Sequence, residues 1–161
     1  MNLKLFITIF IVIFIAGCGI FKSAEDLYLE AEAKRNSGNS KEALELLRKI
    51  VNKFSDHDKA SKAQYLIAEI YYRDLRDFSK AINEYENLKQ KYPESPQVPF
   101  SLFMQGFIYA NMLSNFEKAR NSYEEFLNKF SNHELAQSVT FELKYLGLEV
   151  QDIPELKHLI K

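Results

Sequence analysis

A constant interval of 38 residues relates three short strings of this chain, and this interval constrains the fold more than any other sequence feature. Each string has an alanine, a large side chain four residues later, and a closing basic–aromatic pair. The alanines are Ala43, Ala81 and Ala119, and the large side chains are Leu47, Tyr85 and Tyr123. A fixed period of about 20 to 50 residues is typical of stacked repeats, in which each unit buries its apolar face against the next. The sequence therefore predicts a repeat array, which favours a binding surface over a catalytic pocket.

Apolar residues recur at three- and four-residue spacing within and before each string, which predicts two helices per unit. The expected first helices span 24–35, 59–73 and 98–112, and the expected second helices span 40–53, 78–92 and 116–130. Pro93 and Pro96 cannot continue a helix and therefore mark a boundary between units. We place Ser40 at the N-cap of its helix. Units two and three carry one extra residue, which we assign to the turn between the paired helices.

The period continues for half a unit beyond residue 133, because Phe141 and Leu146 repeat the apolar positions of the earlier first helices. This predicts a seventh helix over residues 135–146, which covers the open end of the third pair. Gly147 is the residue expected to end it. Residues 154–160 are predicted to form one further short helix.

Composition excludes several function classes. The 161 residues have a formal net charge of -1, so no basic stripe is available for nucleic acid. A single cysteine, Cys18, excludes an intrachain disulfide and a site with several cysteine ligands. His57 and His133 lie two periods apart in equivalent turns, and we interpret them as turn residues rather than ligands. No catalytic constellation or phosphate-binding loop is recognisable, so we expect no enzyme, no cofactor, no metal and no small-molecule substrate.

The N-terminal residues 1–17 read as a secretory signal peptide rather than as part of the fold. Lys4 precedes an apolar run over residues 5–15, and Ala16 and Gly17 lead directly to Cys18. The run is short of the roughly 20 residues that a helix needs to span a bilayer. An uncleaved anchor over residues 5–21, with Cys18 incidental, is the alternative interpretation.

The string Ile15-Ala16-Gly17-Cys18 resembles the lipobox of bacterial lipoproteins. The resemblance implies that the thiol of Cys18 carries a diacylglycerol, that the leader is removed, and that the new N-terminus is acylated. Residues 18–23 would then be a lipidated tether, and several acyl chains would make the anchoring effectively permanent. Gly19 stands where an aspartate would resemble an inner-membrane retention signal. We therefore expect a bacterial cell-envelope protein, anchored in the outer membrane and facing the periplasm.

The paired helices resemble the tetratricopeptide repeat (TPR) family. Small residues stand where that family has them on the first helix, aromatic residues follow in units two and three, and alanines stand early in the second helices. The small residues are Ala31, Ala68 and Gly106, and the aromatic residues are Tyr71 and Tyr109. Lys34 replaces the aromatic residue in unit one, and only Pro93 fills the family's proline position.

The resemblance implies an all-α solenoid of three TPR helix pairs plus a C-terminal capping helix. The TPR domain would span residues 24–147, with units at about 24–57, 58–95 and 96–133 and the cap at 134–147. Residues 148–161 would form a tail or a short helix.

By the same resemblance, the first helices would line a concave groove that binds a protein or peptide partner. The expected groove residues are Tyr28, Glu32, Tyr65, Glu69, Tyr72, Arg73, Phe100, Phe103, Phe107 and Asn111. Tyr28, Tyr65, Phe103 and Phe141 would form a ladder of rings along it. Aromatic anchors beside a few charges are typical of binding surfaces. For Phe103 and Phe107, packing in the core between helices is an equal alternative, whereas Tyr72, Arg73 and Asn111 are expected to be exposed.

These expectations describe a membrane-anchored scaffold in the bacterial envelope. Among lipidated TPR proteins the chain is most similar to the lipoprotein of the outer-membrane β-barrel assembly machinery, which implies a role in outer-membrane protein assembly. Residues 92–96 and 106–109 also resemble the repeat domain of a periplasmic protein that coordinates envelope constriction. A structural subunit that self-associates through its terminal helices is a further alternative.

Overall fold

The predicted all-α fold is confirmed by the computed structural model, which describes residues 22–154. This part of the chain forms seven α-helices and no strand. They are α1 (Ala24–Asn36), α2 (Ser40–Lys53), α3 (Asp58–Glu69), α4 (Phe78–Lys91), α5 (Val98–Asn111), α6 (Phe116–Lys129) and α7 (Ala136–Lys144). A π-helical turn, Ile70–Asp74, continues α3, and a 3-10 turn, Val150–Asp152, follows α7. The predicted signal peptide, Cys18 and nearly all of the predicted helix at 154–160 lie outside the described residues.

The helices form two layers, as expected for stacked pairs. Each helix packs on the next in the chain, and α1 also contacts α3. The first helices α1, α3 and α5 therefore make one layer and the second helices α2, α4 and α6 the other. The repeated alanines Ala43, Ala81 and Ala119 are fully buried between the layers. The 38-residue interval thus marks the contact positions of the stack.

Gly106 of α5 lies directly against the ring of Tyr123 of α6. A Cβ added to this glycine would be 2.3 Å from Cε1 of Tyr123, far inside contact distance. In unit two, Ala68 occupies the equivalent place and is fully buried. The small residue of the repeat pattern is therefore required by the aromatic ring opposite it.

Each inner turn contains one residue with a left-handed backbone, and these residues share the 38-residue period. They are Gly38 (φ 82°), Arg76 (φ 53°) and Ser114 (φ 51°). Glycine adopts this conformation freely, whereas arginine and serine adopt it at a cost of about 1 to 2 kcal/mol. The position of the left-handed residue before the second helix is therefore the same in all three units, although only the first unit has the residue that suits it best.

In unit three the extra residue lies in the inner turn as predicted, because four residues (112–115) separate α5 from α6, against three (37–39) between α1 and α2. In unit two the prediction was wrong, because the extra residue widens the end of the first helix, where the π-helical turn Ile70–Asp74 continues α3. The amide of Leu75 donates to the carbonyl of Ile70, five residues back, and the amide of Leu113 donates in the same way to Ile108. Because the left-handed residue is held at a constant distance from the second helix, the additional residue is absorbed before it.

The helix N-termini also differ from one prediction. Ser40 is the first residue of α2 rather than its N-cap, and its hydroxyl donates to Asp74 over 3.2 Å. Asn39 holds the N-cap position, but its side chain does not cap the helix. The side-chain amide instead donates a hydrogen bond to the hydroxyl of Ser37. The equivalent residues Asp77 and Asn115 do cap their helices.

The two turn histidines cap backbone amides, which confirms their interpretation as turn residues. Nδ1 of His57 accepts from the amide of Lys59 over 3.1 Å. Nδ1 of His133 accepts from the amide of Leu135 over 3.2 Å. The imidazoles therefore satisfy donors that would otherwise be orphaned where a new unit begins.

Candidate functional site

The predicted groove corresponds to the outward face of α1, α3 and α5, called here the first-helix surface. Six of its predicted aromatic residues are neither fully buried nor fully exposed: Tyr28, Tyr65, Tyr72, Phe100, Phe103 and Phe107. Phe103 packs against the core around Tyr123, with ring centroids 6.4 Å apart, and its other neighbour is Phe107 at 6.2 Å. Phe103 therefore belongs to both the core and the surface. Partner binding by these rings stays a prediction.

A depression opens where the first turns of α3 and α5 lie beside α1, and we call it the N-terminal depression. Its volume is about 380 Å³, and it is lined by Tyr28, Lys62, Tyr65, Gln97 and Phe100. Side chains from all three units thus meet there. Lys62 and Gln97 were not among the predicted residues, although each lies three residues before a predicted ring and so shares its helix face.

A second depression lies at the other end of α3, and we call it the C-terminal depression. It is lined by Tyr72, Arg73, Arg76, Phe78 and Met112. The rings of Tyr72 and Phe78 are 6.1 Å apart, and the Arg76 guanidinium lies 6.0 Å from the Phe78 centroid. Tyr72 and Arg73 were predicted here, and Arg76 was missed. The π-helical turn Ile70–Asp74 presents Tyr72 and Arg73, and such turns are frequent at functional sites.

Glu69 is buried, contrary to its predicted place in the groove. Its side chain accepts a 2.5 Å hydrogen bond from the Tyr85 hydroxyl and pairs with Nε of Arg73 over 2.7 Å. Burial is the largest cause that raises the pKa of Tyr65 to about 12, and the negative charge of Glu69 is the next. The same two causes raise the pKa of Tyr85. The prediction failed because a buried tyrosine hydroxyl needs an acceptor, and Glu69 is the acceptor within reach.

The remaining predicted residues lie nearer the edges of the surface. Glu32 is half-buried on α1. The pKa of Tyr28 is raised mainly by the burial of its ring, and next by the negative charge of Glu32. Asn111 is exposed as predicted, and its amide donates to the carbonyl of Phe107. Phe141, the last ring of the predicted ladder, is 36% exposed on α7. Tyr145 lies 4.9 Å from it, centroid to centroid.

Charge is unevenly distributed over the first-helix surface. No Asp, Glu, Lys or Arg occurs in α5. Three cations of α1 and α3 are neutralised by carboxylates: Lys59 by Glu25, Arg73 by Glu69, and Arg35 by Asp74. Within residues 22–154, Lys62 and Arg76 make no ion pair. Each depression therefore contains one cation without an anionic partner.

The two depressions are lined by aromatic rings, by the side-chain amide of Gln97 and by cations. Between residues 22 and 154 no group of three or more His, Cys, Asp or Glu residues could hold a metal ion. The same part of the chain contains no helix with the length and apolar character needed to cross a membrane.

A model of one protein family, described as YfiO, outer membrane lipoprotein, matches residues 21–147. The match includes all seven helices and ends at Gly147, the residue predicted to end the capping helix. No curated protein matches the chain.

Proposed function

The chain belongs to the YfiO family of outer membrane lipoproteins, and on that premise we propose that it is a lipid-anchored scaffold that holds a protein partner at the periplasmic face of the outer membrane. The family match over residues 21–147 is the observation that carries the proposal. The first-helix surface adds support, because half-buried rings beside cations provide contact area at low entropic cost.

The anchor in this proposal is the lipidated Cys18, left as the N-terminus when the signal peptide 1–17 is removed. Helix α1 begins at Ala24, six residues after Cys18. Six residues of extended chain reach about 20 Å. The first unit would therefore be held close to the membrane, and the partner would be presented within the envelope rather than released from it.

The process we propose for the scaffold is the assembly of outer-membrane proteins. Nascent or partly folded envelope proteins expose apolar segments, and a surface of half-buried aromatic rings can cover such segments without a deep pocket. Binding rather than catalysis would be its contribution. The scaffold would position its partner beside the membrane in which that partner acts.

Self-association is a second candidate, favoured by one observation. Of the seven large apolar side chains that are exposed within residues 22–154, five lie near the C-terminal end of the described stack: Met112, Leu113, Phe116, Phe141 and Leu148. Phe116, Phe141 and Leu148 line one depression, and an exposed apolar patch of this kind marks an interaction site. Sedimentation velocity of residues 19–161 over a range of concentrations would reveal it, because a monomer at all concentrations contradicts this candidate.

The experiment that tests the scaffold uses the full chain in its native cell. Cys18→Ala is expected to abolish incorporation of labelled palmitate and to release the protein from the membrane fraction. A photo-crosslinking residue at Tyr65 or Phe100 is expected to capture a discrete envelope protein. The same residue at Lys49, on α2 in the opposite layer, is the matched control. Equal capture at both sites, or none at either, would contradict the proposal.

A further inference from the structure

We propose that the first-helix surface selects an acidic partner segment, whose carboxylates meet Lys62 and Arg76 and whose apolar side chains cover the uncharged strip of α5 beside them. The inference rests on the proposed scaffold function and specifies the chemistry of its partner. It follows from the placement of the two unpaired cations relative to α5.

Lys62 provides the positive charge of the N-terminal depression. It is exposed among Tyr28, Tyr65 and Phe100, and no carboxylate lines that depression. The acidic residues of its own helix are engaged elsewhere, since Asp58 lies against His57 and Glu69 binds Tyr85. An ammonium group at the rim of an apolar depression attracts a carboxylate more strongly than one in open solvent, because the apolar walls lower the local dielectric.

Arg76 provides the positive charge of the C-terminal depression. The two acidic residues beside it in the chain are occupied, because Asp74 pairs with Arg35 and Asp77 pairs with Lys80. Among residues 22–154 the guanidinium of Arg76 makes no ion pair, and it lies 6.0 Å from the centroid of the Phe78 ring. Its backbone is left-handed (φ 53°), a conformation in which arginine is less stable than glycine. The backbone therefore gives no reason for an arginine here, whereas an anionic partner would.

The strip beside the two cations is apolar and uncharged. It consists of the half-buried side chains of α5, namely Phe100, Phe103, Met104 and Phe107. Because Lys62 and Arg76 are 14 positions apart on a nearly continuous helix, they are separated by about 20 Å. A matching segment has carboxylates about six residues apart if it is extended, or about 14 apart if it is helical. Its intervening side chains must be apolar to cover the strip.

The test uses synthetic peptides of both spacings, an extended ten-residue peptide and a helical 18-residue peptide. Each has a Leu/Phe-rich centre and is made in three forms, with Glu, Gln or Lys at the two flanking positions. Binding to the lipid-free chain is measured by fluorescence anisotropy at about 20 and 300 mM salt. For at least one spacing we expect the Glu form to bind at least tenfold more tightly than the Lys form. The preference should shrink at the higher salt concentration.

Two variants and two matched controls assign the effect to the proposed residues. Lys62→Gln and Arg76→Gly are each expected to weaken binding of the Glu peptide about threefold, and the double variant about tenfold. Lys49→Gln on α2 and Arg120→Gln on α6 remove equally exposed charges from the opposite layer and should leave binding unchanged. Arg76→Gly also relieves the left-handed strain, so its melting temperature should rise while its affinity falls. A structural role for Arg76 would instead lower the melting temperature.

The inference is overturned if the Glu and Lys peptides bind equally, if none of the peptides binds, or if the control variants weaken binding as much as Lys62→Gln and Arg76→Gly do. None of these outcomes contradicts the scaffold itself, which is tested independently by crosslinking in cells. Loss of crosslinking at Tyr65 and Phe100 would contradict the scaffold whatever the peptides show.

Discussion

Units two and three share one helix-pair architecture but satisfy their buried tyrosines differently. The hydroxyl of Tyr85 donates to Glu69, a residue of its own unit. Tyr123 is equally buried, yet its hydroxyl has no hydrogen-bond partner within the described part of the chain. After burial, the largest influence on its pKa is Glu142, which belongs to α7. Equivalent positions of the repeat therefore share the same packing environment. The hydrogen-bond partner of a polar side chain at such a position differs from one unit to the next.

The same two units differ in how closely their helices approach. Ala68 faces the second helix of unit two, whereas unit three has Gly106, with no space for a Cβ beside Tyr123. In unit three, the ring of Tyr123 is therefore packed more tightly than that of Tyr85 in unit two, whereas its hydroxyl lacks the hydrogen bond that the hydroxyl of Tyr85 makes. Its stability depends on an exact fit of volume, and that of unit two depends on a polar contact.

The largest expected effect is that of Gly106→Ala. The new methyl group would overlap the Tyr123 ring, and overpacking of this kind costs about 1 to 3 kcal/mol or more, even after the gain in helix propensity. Ala68→Gly in unit two is the comparison, and it should cost about 1 to 2 kcal/mol, from lost helix propensity and the loss of one buried methyl group. Chemical denaturation measures both. Equal losses would mean that the two units are packed alike, contrary to the structure.

Removal of the two buried hydroxyls should give unequal losses. Tyr85→Phe leaves Oε1 of the buried Glu69 without its donor, while Oε2 keeps its pair with Arg73, and the change is expected to cost about 1 to 2 kcal/mol. Tyr123→Phe removes a hydroxyl that has no hydrogen bond, so the change should be close to zero or slightly stabilising. Thermal unfolding of the pair decides the matter. A greater loss for Tyr123→Phe would show that its hydroxyl has a strong partner.

The two regions should also respond to pH in opposite senses. Burial raises the pKa of Glu84, but hydrogen bonds from Gln64, Asn87 and Arg48 outweigh it and hold the pKa below its ordinary value. The stability that Glu84 contributes to unit two is therefore complete above the ordinary pKa and is lost as the pH falls through the folded value. Burial raises the pKa of Glu142, so the stability of α7 is greatest at low pH and is lost as the pH rises through that pKa.

Hydrogen exchange of α4 and α7, corrected for intrinsic rates, measures this contrast. Between pH 4 and pH 7, α4 should gain protection and α7 should lose it, each by less than about 1 kcal/mol because both groups are partly solvated. Glu142→Gln should abolish the response of α7 and leave that of α4 intact. If the protection of α7 still depends on pH in Glu142→Gln, the pH dependence arises from another titratable group.

The smallest effect concerns the inner turns. Ser114→Gly should stabilise unit three by about 0.5 to 1 kcal/mol, because glycine accepts the left-handed backbone without strain. In unit one, Gly38→Ala should destabilise by a similar amount for the same reason. Melting temperatures of the two variants should therefore shift in opposite directions, and shifts of the same sign would exclude backbone strain as the cause.

Much of the fold could be predicted because helix periodicity and repeat spacing are local signals. The six helices of the three pairs begin and end within one residue of their predicted bounds, if the π-helical turn is counted with α3. The extra residue of unit two was misplaced because a count of residues between Ala68 and Ala81 does not say where the chain absorbs it. The hydrogen bond from the amide of Leu75 to the carbonyl of Ile70 shows that it widens the helix end, and the sequence does not display that bond.

The candidate site was less accessible to sequence reasoning. The helical register predicts that Glu69 lies on the first-helix surface. Its side chain is instead buried, where it accepts a hydrogen bond from the hydroxyl of the buried Tyr85. Lys62 and Arg76 were overlooked because an unpaired cation is recognised only once the pairs of its neighbours are known. Arg76 also follows the end of its helix, where periodicity no longer predicts which side a residue faces.

Ion pairs join successive second helices on the side of the stack opposite the first-helix surface. Arg48 reaches from α2 to Glu84 of α4 over 2.8 Å, and Lys89 reaches from α4 to Glu125 of α6 over 3.0 Å. Partly exposed pairs of this kind weaken as dissolved salt screens them. We therefore expect the stack to bend more easily in concentrated electrolyte than in dilute electrolyte, because the pairs that tie its second helices together are weaker there.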